Sequence, residues 1–322
     1  MQVKATERQF VERLRKFASR GAMPDRRGLI LKQGIGDDCA VISGAGRTDL
    51  LVTTDLLLEG IHFRRPWQDA DSLGHKALAR GLSDIAAMGG IPRYAFLSLA
   101  LPRGIASQWI NQFFAGLLRL AESSGVILAG GDTASSRSGF VADIMLLGEA
   151  PRGKAVLRSG ARPGDEIWVS GSLGGAAAAL ELLRRKKKIA RRKELLQPLF
   201  YPQPRLALGR LLSRRGLASA MMDLSDGLSI DLSRLCEASR VGARIEAETI
   251  PRLRQTPLDK ALHGGEDFEL LFTVPASRAG RVPKQVEGIQ LTRIGRVIRG
   301  RRLRLVRAGR EEPLPVLGFE HF

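Results

Sequence analysis

The stretches DLLVTTD at residues 49–55 and SLGHKALARGLSDIAAMG at residues 72–89 decide the fold class. The first is nearly continuous in apolar and β-branched residues and stops at an acid, which predicts a strand. In the second, apolar residues recur every three or four positions and predict a helix with one apolar face. The residues of that face are Leu73, Ala77, Leu78, Leu82, Ile85 and Ala86. Asp84 lies off the face, so its carboxylate is not part of the predicted core.

The alternation of strands and helices extends on both sides of these segments. An N-terminal helix is predicted after a possible capping box formed by Thr6 and Gln9. Further strands and one helix are predicted at residues 94–101, 109–123, 126–132 and 140–148. The Gly- and Pro-rich segment 148–166 predicts a domain boundary. We therefore expect an N-terminal α/β domain over residues 1–150 and a C-terminal α+β domain over residues 151–322.

The chain carries 51 Lys and Arg against 33 Asp and Glu, for a formal net charge of +18. Such an excess could attract nucleic acid or a membrane surface. The basic residues are scattered, however, and the dense run RRKKKIARRK at 184–193 has no interleaved aromatic residues on which bases could stack. We interpret the run as a solvated helix face, and a basic nucleic-acid-binding protein remains the alternative from another functional class.

The apolar segments and the cysteines indicate the protein's cellular compartment and its redox chemistry. The N-terminal segment has no apolar core typical of a secretion signal, and no stretch approaches 18 uncharged apolar residues, so we expect a cytoplasmic protein without a membrane partner. Only Cys39 and Cys236 are present, far apart in the sequence. A disulfide framework or a thiolate metal site is therefore not expected.

Acids recur beside glycines and at predicted strand ends, in the segments 36–38, 53–55, 130–132, 223–227 and 264–267. Short carboxylate and hydroxyl side chains are oxygen ligands, and Mg²⁺ commonly bridges such groups to the phosphates of a nucleotide. Each acid taken singly could equally be a turn residue, a helix cap or half of a surface ion pair. The helix that begins near Gly227 also offers its first amides to a phosphate.

Taken in order, these segments closely resemble thiamine-monophosphate kinases over nearly the full chain. The resemblance is carried by GIGDDCAV, TTDLLLEGIHF, ALARGLSDIAAMGG, GGDT, LRSGARPGD, DLSDGLSIDL, HGGEDFELLFTVP and GFEHF. It implies a two-domain fold like that of aminoimidazole ribonucleotide synthetase and a homodimer built through the N-terminal domains. It also implies ATP-dependent conversion of thiamine monophosphate to thiamine diphosphate.

The resemblance further implies three sets of site residues. Those expected to bind several Mg²⁺ ions are Asp37, Thr53, Thr54, Asp55, Asp84, Asp132, Asp223 and Asp226. Those expected to contact ATP are Phe114, where the family often has Tyr, and Gly131, Asp132, Arg158 and Ser225. Those expected to contact thiamine monophosphate are His62, Glu266 and Phe319, with Val316 at a position where the family can have an aromatic residue.

No catalytic residue beyond these ligands is expected. The acceptor is a phosphate monoester, whose second pKa is about 6, so it is anionic at neutral pH and needs no strong base. The remaining tasks are to hold the two phosphate groups in line and to offset their repulsion. The alternatives within this superfamily are selenophosphate synthetases and hydrogenase-maturation enzymes. The sequence argues against both, because it has no nucleophilic Cys in a Gly-rich N-terminal segment and ends in EHF rather than in a reactive Cys.

Overall fold

The computed structural model describes residues 6–20, 28–185, 193–253 and 256–321. Its helices are α1 (Glu7–Arg20), α2 (Ala70–Ala87), α3 (Ser107–Ser124), α4 (Gly175–Arg184), α5 (Lys193–Phe200), α6 (Leu206–Arg214), α7 (Leu228–Ser239), α8 (Leu258–His263) and α9 (Ala276–Ala279). Its strands are β1 (Ile30–Gln33), β2 (Ala40–Ser43), β3 (Thr48–Leu58), β4 (Ile91–Pro102), β5 (Ile127–Ser136), β6 (Val141–Pro151), β7 (Glu166–Ser170), β8 (Ala220–Asp223), β9 (Gly242–Glu246), β10 (Leu270–Val274), β11 (Gln285–Val286), β12 (Ile289–Ile298), β13 (Leu303–Arg307) and β14 (Arg310–Pro313).

The first six strands form one mixed sheet in the order β1-β2-β3-β6-β4-β5. Its inner face packs against α2 and α3, and the alternation of buried and exposed residues along β3 and β6 shows that the other face is left uncovered. Helices α2 and α3 approach very closely at two glycines. A Cβ on Gly74 would lie 1.8 Å from the Phe113 carbonyl oxygen, and one on Gly116 would lie 1.8 Å from that of Asp71. Only glycine permits this contact.

The remaining strands form a second sheet in the order β14-β13-β9-β12-β7-β10-β8, with β11 beside β12. Neighbouring strands are antiparallel except β13 and β9, which run parallel. The apolar side of α7 is buried on this sheet through Leu228, Leu232, Leu235 and Cys236. The two halves meet at the end of α2, where Ala86 and Ala87 join a cluster with α6, β8 and β10. Helix α2 therefore contacts both sheets.

Most of the predicted elements are present. The Thr6 amide donates to Gln9 Oε1 at 3.2 Å and the Gln9 amide donates to Thr6 Oγ1 at 3.3 Å, which confirms the capping box. All six residues of the predicted apolar face of α2 are buried. The strands of the two sheets are separated by residues 152–165, although the division into two domains stays a prediction.

The basic run at 184–193 was expected on a helix. Helix α4 ends at Arg184 and α5 begins at Lys193, and residues 186–192 lie outside the described residues. The solvated-face interpretation therefore stays a prediction. Among the described helices, none combines the length and the apolar character needed to cross a membrane.

Candidate active site

Three carboxylates from distant parts of the chain meet between the two sheets. Asp38 precedes β2, Asp84 lies near the end of α2 and Asp223 ends β8. One oxygen of each lies within 4.8 Å of an oxygen of both others. Asp38 and Asp223 are buried, and Asp84 keeps some exposed surface. We call these three residues the acidic cluster.

The electrostatics of the acidic cluster are unfavourable without a counter-charge. Burial raises the pKa of Asp84 well above its usual value, and the neighbouring Asp223 and Asp38 raise it further. Burial likewise raises the pKa of Asp223, followed by the charge of Asp38, although the Ser83 hydroxyl donates to Asp223 at 2.7 Å and works in the opposite direction. Asp38 Oδ2 is buried and has no hydrogen-bond partner among the described residues. Such an arrangement is costly unless a cation compensates it.

The donor set of the acidic cluster suits a hard divalent cation. It consists of carboxylate oxygens, with the Thr53 hydroxyl 2.5 Å from Asp84 Oδ2. Oxygen ligands of this kind select Mg²⁺ or Ca²⁺ and disfavour the softer metals that prefer sulfur or imidazole. The residues therefore fit the predicted magnesium ion, and the unpartnered Asp38 oxygen is the observation that supports this fit.

Asp37, the first acid of the pair, is not one of the three residues of the acidic cluster. Its carboxylate accepts the backbone amide of Arg158 at 3.2 and 3.3 Å, and burial followed by the charge of Asp38 raises its pKa to about 7. The Arg158 guanidinium binds Asp38 instead, with Nε at 3.1 Å. The structure thus places Asp38, which sequence reasoning passed over, in the acidic cluster. A metal contact by Asp37 and an ATP contact by Arg158 stay predictions.

A second group of charges lies along α2. Asp55 Oδ2 accepts from Arg80 Nε at 2.9 Å, and Arg80 NH1 lies 3.6 Å from Glu266 Oε1. Lys76 Nζ lies 2.7 Å from the same Glu266 oxygen. Sequence reasoning missed Lys76 and Arg80, although with Asp84 they follow one another at intervals of four residues, a spacing that puts side chains on one side of a helix.

The loop before α7 makes fewer groups available than expected. The amides of Asp226 and Gly227 donate to Asp231 Oδ2 at 3.1 and 3.0 Å, so they are already paired and do not point freely at a phosphate. Asp226 itself forms an ion pair with Arg234. The Ser225 carbonyl accepts the Glu266 amide at 2.7 Å, which connects this loop to the predicted substrate contact. The ligand roles of Ser225 and Asp226 stay predictions.

The rings of His62, Phe319 and His321 form an aromatic cluster near the charges of α2. The ring of His62 lies 6.1 Å from that of Phe319 and 5.2 Å from that of His321, measured between ring centroids. Burial lowers the pKa of His62 to about 3, with the charge of Arg80 as the next cause, so the imidazole is neutral at pH 7. Its Nδ1 accepts the Leu58 amide at 3.0 Å. Val316 is 47% exposed and contributes no ring, and a substrate contact by Phe319 stays a prediction.

Some predicted residues lie on the opposite face of the N-terminal sheet. Side chains alternate along β3, so Thr53 and Asp55 face α2 whereas Thr54 points to the uncovered face and is exposed. Asp132 also faces that side, from the exposed edge strand β5. Across the sheet, Asp132 pairs with Ser98 of β4, Ser98 pairs with Asp143 of β6, and Asp143 pairs with Leu56 of β3. Three strand spacings therefore separate Asp132 from β3, a distance of about 14 Å.

Two further residues predicted to contact ATP are not part of the acidic cluster. Gly131 neighbours Asp132, and a Cβ there would lie 1.9 Å from the Leu97 carbonyl oxygen, so glycine is required by the close strand contact. Phe114 lies on α3 and packs against the N-terminal hydrophobic core. The structure therefore brings together Asp38, Thr53, Asp84, Arg158 and Asp223. It leaves Thr54, Phe114, Gly131 and Asp132 apart from them within one chain.

Comparison with known proteins gives matches over nearly the whole chain. The family models for AIR synthase related proteins match residues 36–150 with their N-terminal domain and residues 162–307 with their C-terminal domain. A thiamine-monophosphate kinase from Salmonella typhimurium is 37% identical over 310 residues, which cover 91% of this chain and 93% of the relative. One from Bacillus subtilis is 37% identical over 75% of this chain and 77% of its own.

Solved structures agree with these matches. AaThiL complexed with AMPPCP and TMP superimposes with a TM-score of 0.84 at 31% identity, covering 100% of this chain and 99% of its own. The hydrogenase maturation protein HypE in complex with ATP gives a TM-score of 0.72 at 20% identity, covering 83% and 85% of the two chains. That second likeness shows the shared fold alone.

Proposed function

The chain belongs to the thiamine-monophosphate kinase family, and we propose that it transfers the γ-phosphoryl group of ATP to thiamine monophosphate, producing thiamine diphosphate and ADP. The observation that carries the proposal is the acidic cluster of Asp38, Asp84 and Asp223, in which one buried Asp38 oxygen has no hydrogen-bond partner among the described residues. The Salmonella typhimurium relative named for this activity covers 91% of the chain. Full-length similarity supports the same reaction here.

We propose that the acidic cluster holds Mg²⁺. Asp38, Asp84 and Asp223 would supply carboxylate oxygens to the ion, and Asp55 and Asp226 would join them once ligands draw them from their arginine partners. Mg²⁺ held there would neutralise the charge that develops during phosphoryl transfer. The Thr53 hydroxyl orients Asp84, and the Ser83 hydroxyl orients Asp223. We expect more than one ion, because the residues proposed as metal ligands are more numerous than the three carboxylates of the acidic cluster.

The chain's own residues have little chemistry to perform beyond positioning. An oxygen of the acceptor phosphate attacks the γ-phosphorus, and the bond from that phosphorus to the bridging oxygen of ADP breaks. The acceptor phosphate is already anionic at neutral pH, so no side chain has to remove a proton from it. Arg158 sits at the acidic cluster and supplies positive charge for the transferring group. We propose a single direct transfer without a phosphorylated enzyme intermediate.

The organic part of thiamine monophosphate carries a thiazolium cation and an amino group. His62 and Phe319 offer uncharged ring faces next to each other, and a cation is attracted to the face of an aromatic ring. Glu266 adds a carboxylate whose side chain is 22% exposed. We propose that these three residues bind the organic part of the substrate while its phosphate points toward the acidic cluster.

We propose that the enzyme is a homodimer formed through the uncovered face of the N-terminal sheet. That face exposes the apolar side chains of Leu56, Tyr94 and Ile127 by 48%, 47% and 61%, and contiguous exposed apolar surface is typical of an interaction site. Asp132 lies on the same face, about 14 Å from the strand that carries Asp55. We propose that Asp132 and Gly131 act in the site of the neighbouring subunit, which would give them access to ATP.

We further propose that the boundary between the two domains lies between residues 150 and 151. We also propose a cytoplasmic location and no specific nucleic-acid or membrane partner. The family's reaction uses soluble phosphorylated substrates, and the ordered acidic segments have no explanation in a nucleic-acid-binding protein.

The proposed activity is tested by incubating the purified chain with Mg²⁺, ATP and thiamine monophosphate and separating the thiamine phosphates by chromatography. We expect thiamine diphosphate and ADP in equal amounts, and no thiamine diphosphate when thiamine replaces its monophosphate. ADP formation that is independent of any thiamine compound would instead favour another enzyme of this fold.

A further inference from the structure

Lys76 is a fully buried lysine in the middle of α2. Its side chain has no solvent-exposed surface, and Glu266 is the one carboxylate within 4 Å of its Nζ among the described residues. A buried ammonium group is costly and is retained only when a partner compensates it. Burial lowers the pKa of Lys76, whereas the charge of Glu266 acts in the opposite direction. This pair therefore needs an explanation beyond packing.

The pair is part of a chain of four charges that joins both halves of the protein. Lys76 Nζ is 2.7 Å from Glu266 Oε1, Arg80 NH1 is 3.6 Å from the same oxygen, and Arg80 also binds Asp55. Lys76 and Arg80 are one helical turn apart on α2, whereas Glu266 comes from the loop before β10. The two positive and two negative charges balance one another.

The geometry fixes one oxygen of Glu266 and leaves the other available. Oε1 is buried beside both cations, whereas the Glu266 side chain as a whole keeps 22% of its surface exposed. The Glu266 backbone is held at φ +68°, a conformation unusual for a residue with a side chain, and its amide donates to the Ser225 carbonyl at 2.7 Å. Backbone and side chain are thus both constrained.

We propose that Lys76 is a positioning residue for substrate recognition: it holds Glu266 through Oε1 so that Oε2 faces the cationic, N–H-bearing organic part of the acceptor. Without Lys76, Glu266 would turn toward Arg80 and compete with Asp55 for its guanidinium. This inference rests on the proposed function, because the substrate contact of Glu266 belongs to it.

The test compares Lys76→Met, Glu266→Gln and the double variant in the full chain, with KM measured separately for thiamine monophosphate and for ATP. We expect Lys76→Met to raise KM for thiamine monophosphate at least about tenfold, since breaking a buried pair leaves an uncompensated charge. KM for ATP should stay within about twofold. In the Glu266→Gln background, adding Lys76→Met should change KM by less than about threefold, because Lys76 then has no carboxylate to position.

Arg119→Met is the matched control. It removes an ion pair between Arg119 of α3 and Asp71 at the N-terminal end of α2. It therefore tests the loss of another salt bridge on the same helix. We expect both KM values to stay within about twofold of wild type.

Three results would overturn the inference. One is a Lys76→Met enzyme with a lowered melting temperature and an unchanged KM for thiamine monophosphate, which is the behaviour of a purely structural residue. Another is an equal rise of both KM values. The third is a double variant whose KM is the product of the two single effects. If Lys76→Met does not fold, the double variant, which carries neither charge, can still be compared with Glu266→Gln alone. Equal KM values for thiamine monophosphate in these two variants support the inference, and different values contradict it. A wild-type enzyme that does not phosphorylate thiamine monophosphate would refute the proposed function rather than the role of Lys76.

Discussion

Asp84→Asn is the substitution that tests the acidic cluster most sharply, because it should stabilise the protein without metal while removing its activity. In the metal-free protein the three carboxylates are within 4.8 Å of one another. Two unit charges at that distance repel each other by about 3 kcal/mol at an effective dielectric constant of about 20. Burial and the neighbouring carboxylates raise the pKa values of Asp84 and Asp223, which favours protonation and reduces the gain.

We therefore expect Asp84→Asn to raise the free energy of unfolding of the metal-free protein by about 1–3 kcal/mol, or a few degrees in melting temperature. Mg²⁺ at 100 times its dissociation constant should stabilise the wild type by about 2.7 kcal/mol. The variant should lose most of that shift. Its kcat should fall at least about 100-fold, which corresponds to about 2.7 kcal/mol of transition-state stabilisation.

The assay is thermal unfolding with and without Mg²⁺, followed by steady-state kinetics on the same preparations. Asp71→Asn is the control, because Asp71 lies on the same helix about 20 Å from Asp84 and pairs with Arg119. It should keep the Mg²⁺ shift and the kcat of the wild type. An Asp84→Asn protein that keeps both would show that the cluster is not a metal site and would refute the reasoning from its electrostatics.

Three further predictions address the dimer, the pH dependence of stability and the basic run. Coexpression of Asp132→Ala and Asp84→Asn chains should give a mixture with about a quarter of wild-type activity. About half of its dimers contain one chain of each kind, and each of these has one intact site of two. Burial raises the pKa of Asp267 to about 7 from 3.8, so the unfolded chain loses this proton first and stability falls between about pH 4 and pH 7. The unfolding free energy of wild type relative to Asp267→Asn should therefore drop by about 2–4 kcal/mol from pH 4 to pH 8 in urea titrations. Replacing the three lysines at 186–188 with Gln should leave kcat/KM within about threefold at physiological salt, because the run is predicted to be solvated and salt screens exposed charges.

Each of these has an opposing outcome. Mixed dimers without recovered activity would place Asp132 in the site of its own subunit. An Asp267→Asn difference that is flat between pH 4 and pH 8 would show that this carboxyl is not protonated in the folded protein at neutral pH. A loss of more than about tenfold in kcat/KM for the lysine variant, at an unchanged melting temperature, would connect the basic run with the active site.

The elements of the fold could be read from periodicity because burial imposes it. The apolar positions of α2 and the run in β3 follow directly from which faces pack against the core. Strand order could not be read in the same way. Strand β6 pairs between β3 and β4, and this non-local pairing moves Asp132 away from Asp55 although both follow apolar strand residues. Sequence patterns are local, whereas the distance between two strands depends on the pairing of the whole sheet.

The site shows the same division. Asp84 was expected at a metal site from the family resemblance, its position off an apolar face agreed with that role, and the structure places it in the acidic cluster. The choice between Asp37 and Asp38 could not be made from sequence, since both lie in a Gly-rich turn without a regular period. The positions of Thr53 and Thr54 could have been separated, because alternation along a strand puts them on opposite faces. Lys76 was overlooked because lysine is rarely buried, so its burial became visible only with Glu266 opposite it.

The central claim is direct transfer of a phosphoryl group between two bound phosphates, and the stereochemistry of the transfer tests it in one measurement. ATP made chiral at the γ-phosphorus is reacted with thiamine monophosphate, and the configuration of the transferred phosphoryl group is determined in the thiamine diphosphate that forms. A single in-line displacement inverts the configuration, and this is the result we expect. Retention would require two successive displacements through a phosphorylated side chain and would contradict the proposed mechanism, and the absence of thiamine diphosphate would contradict the proposed function itself.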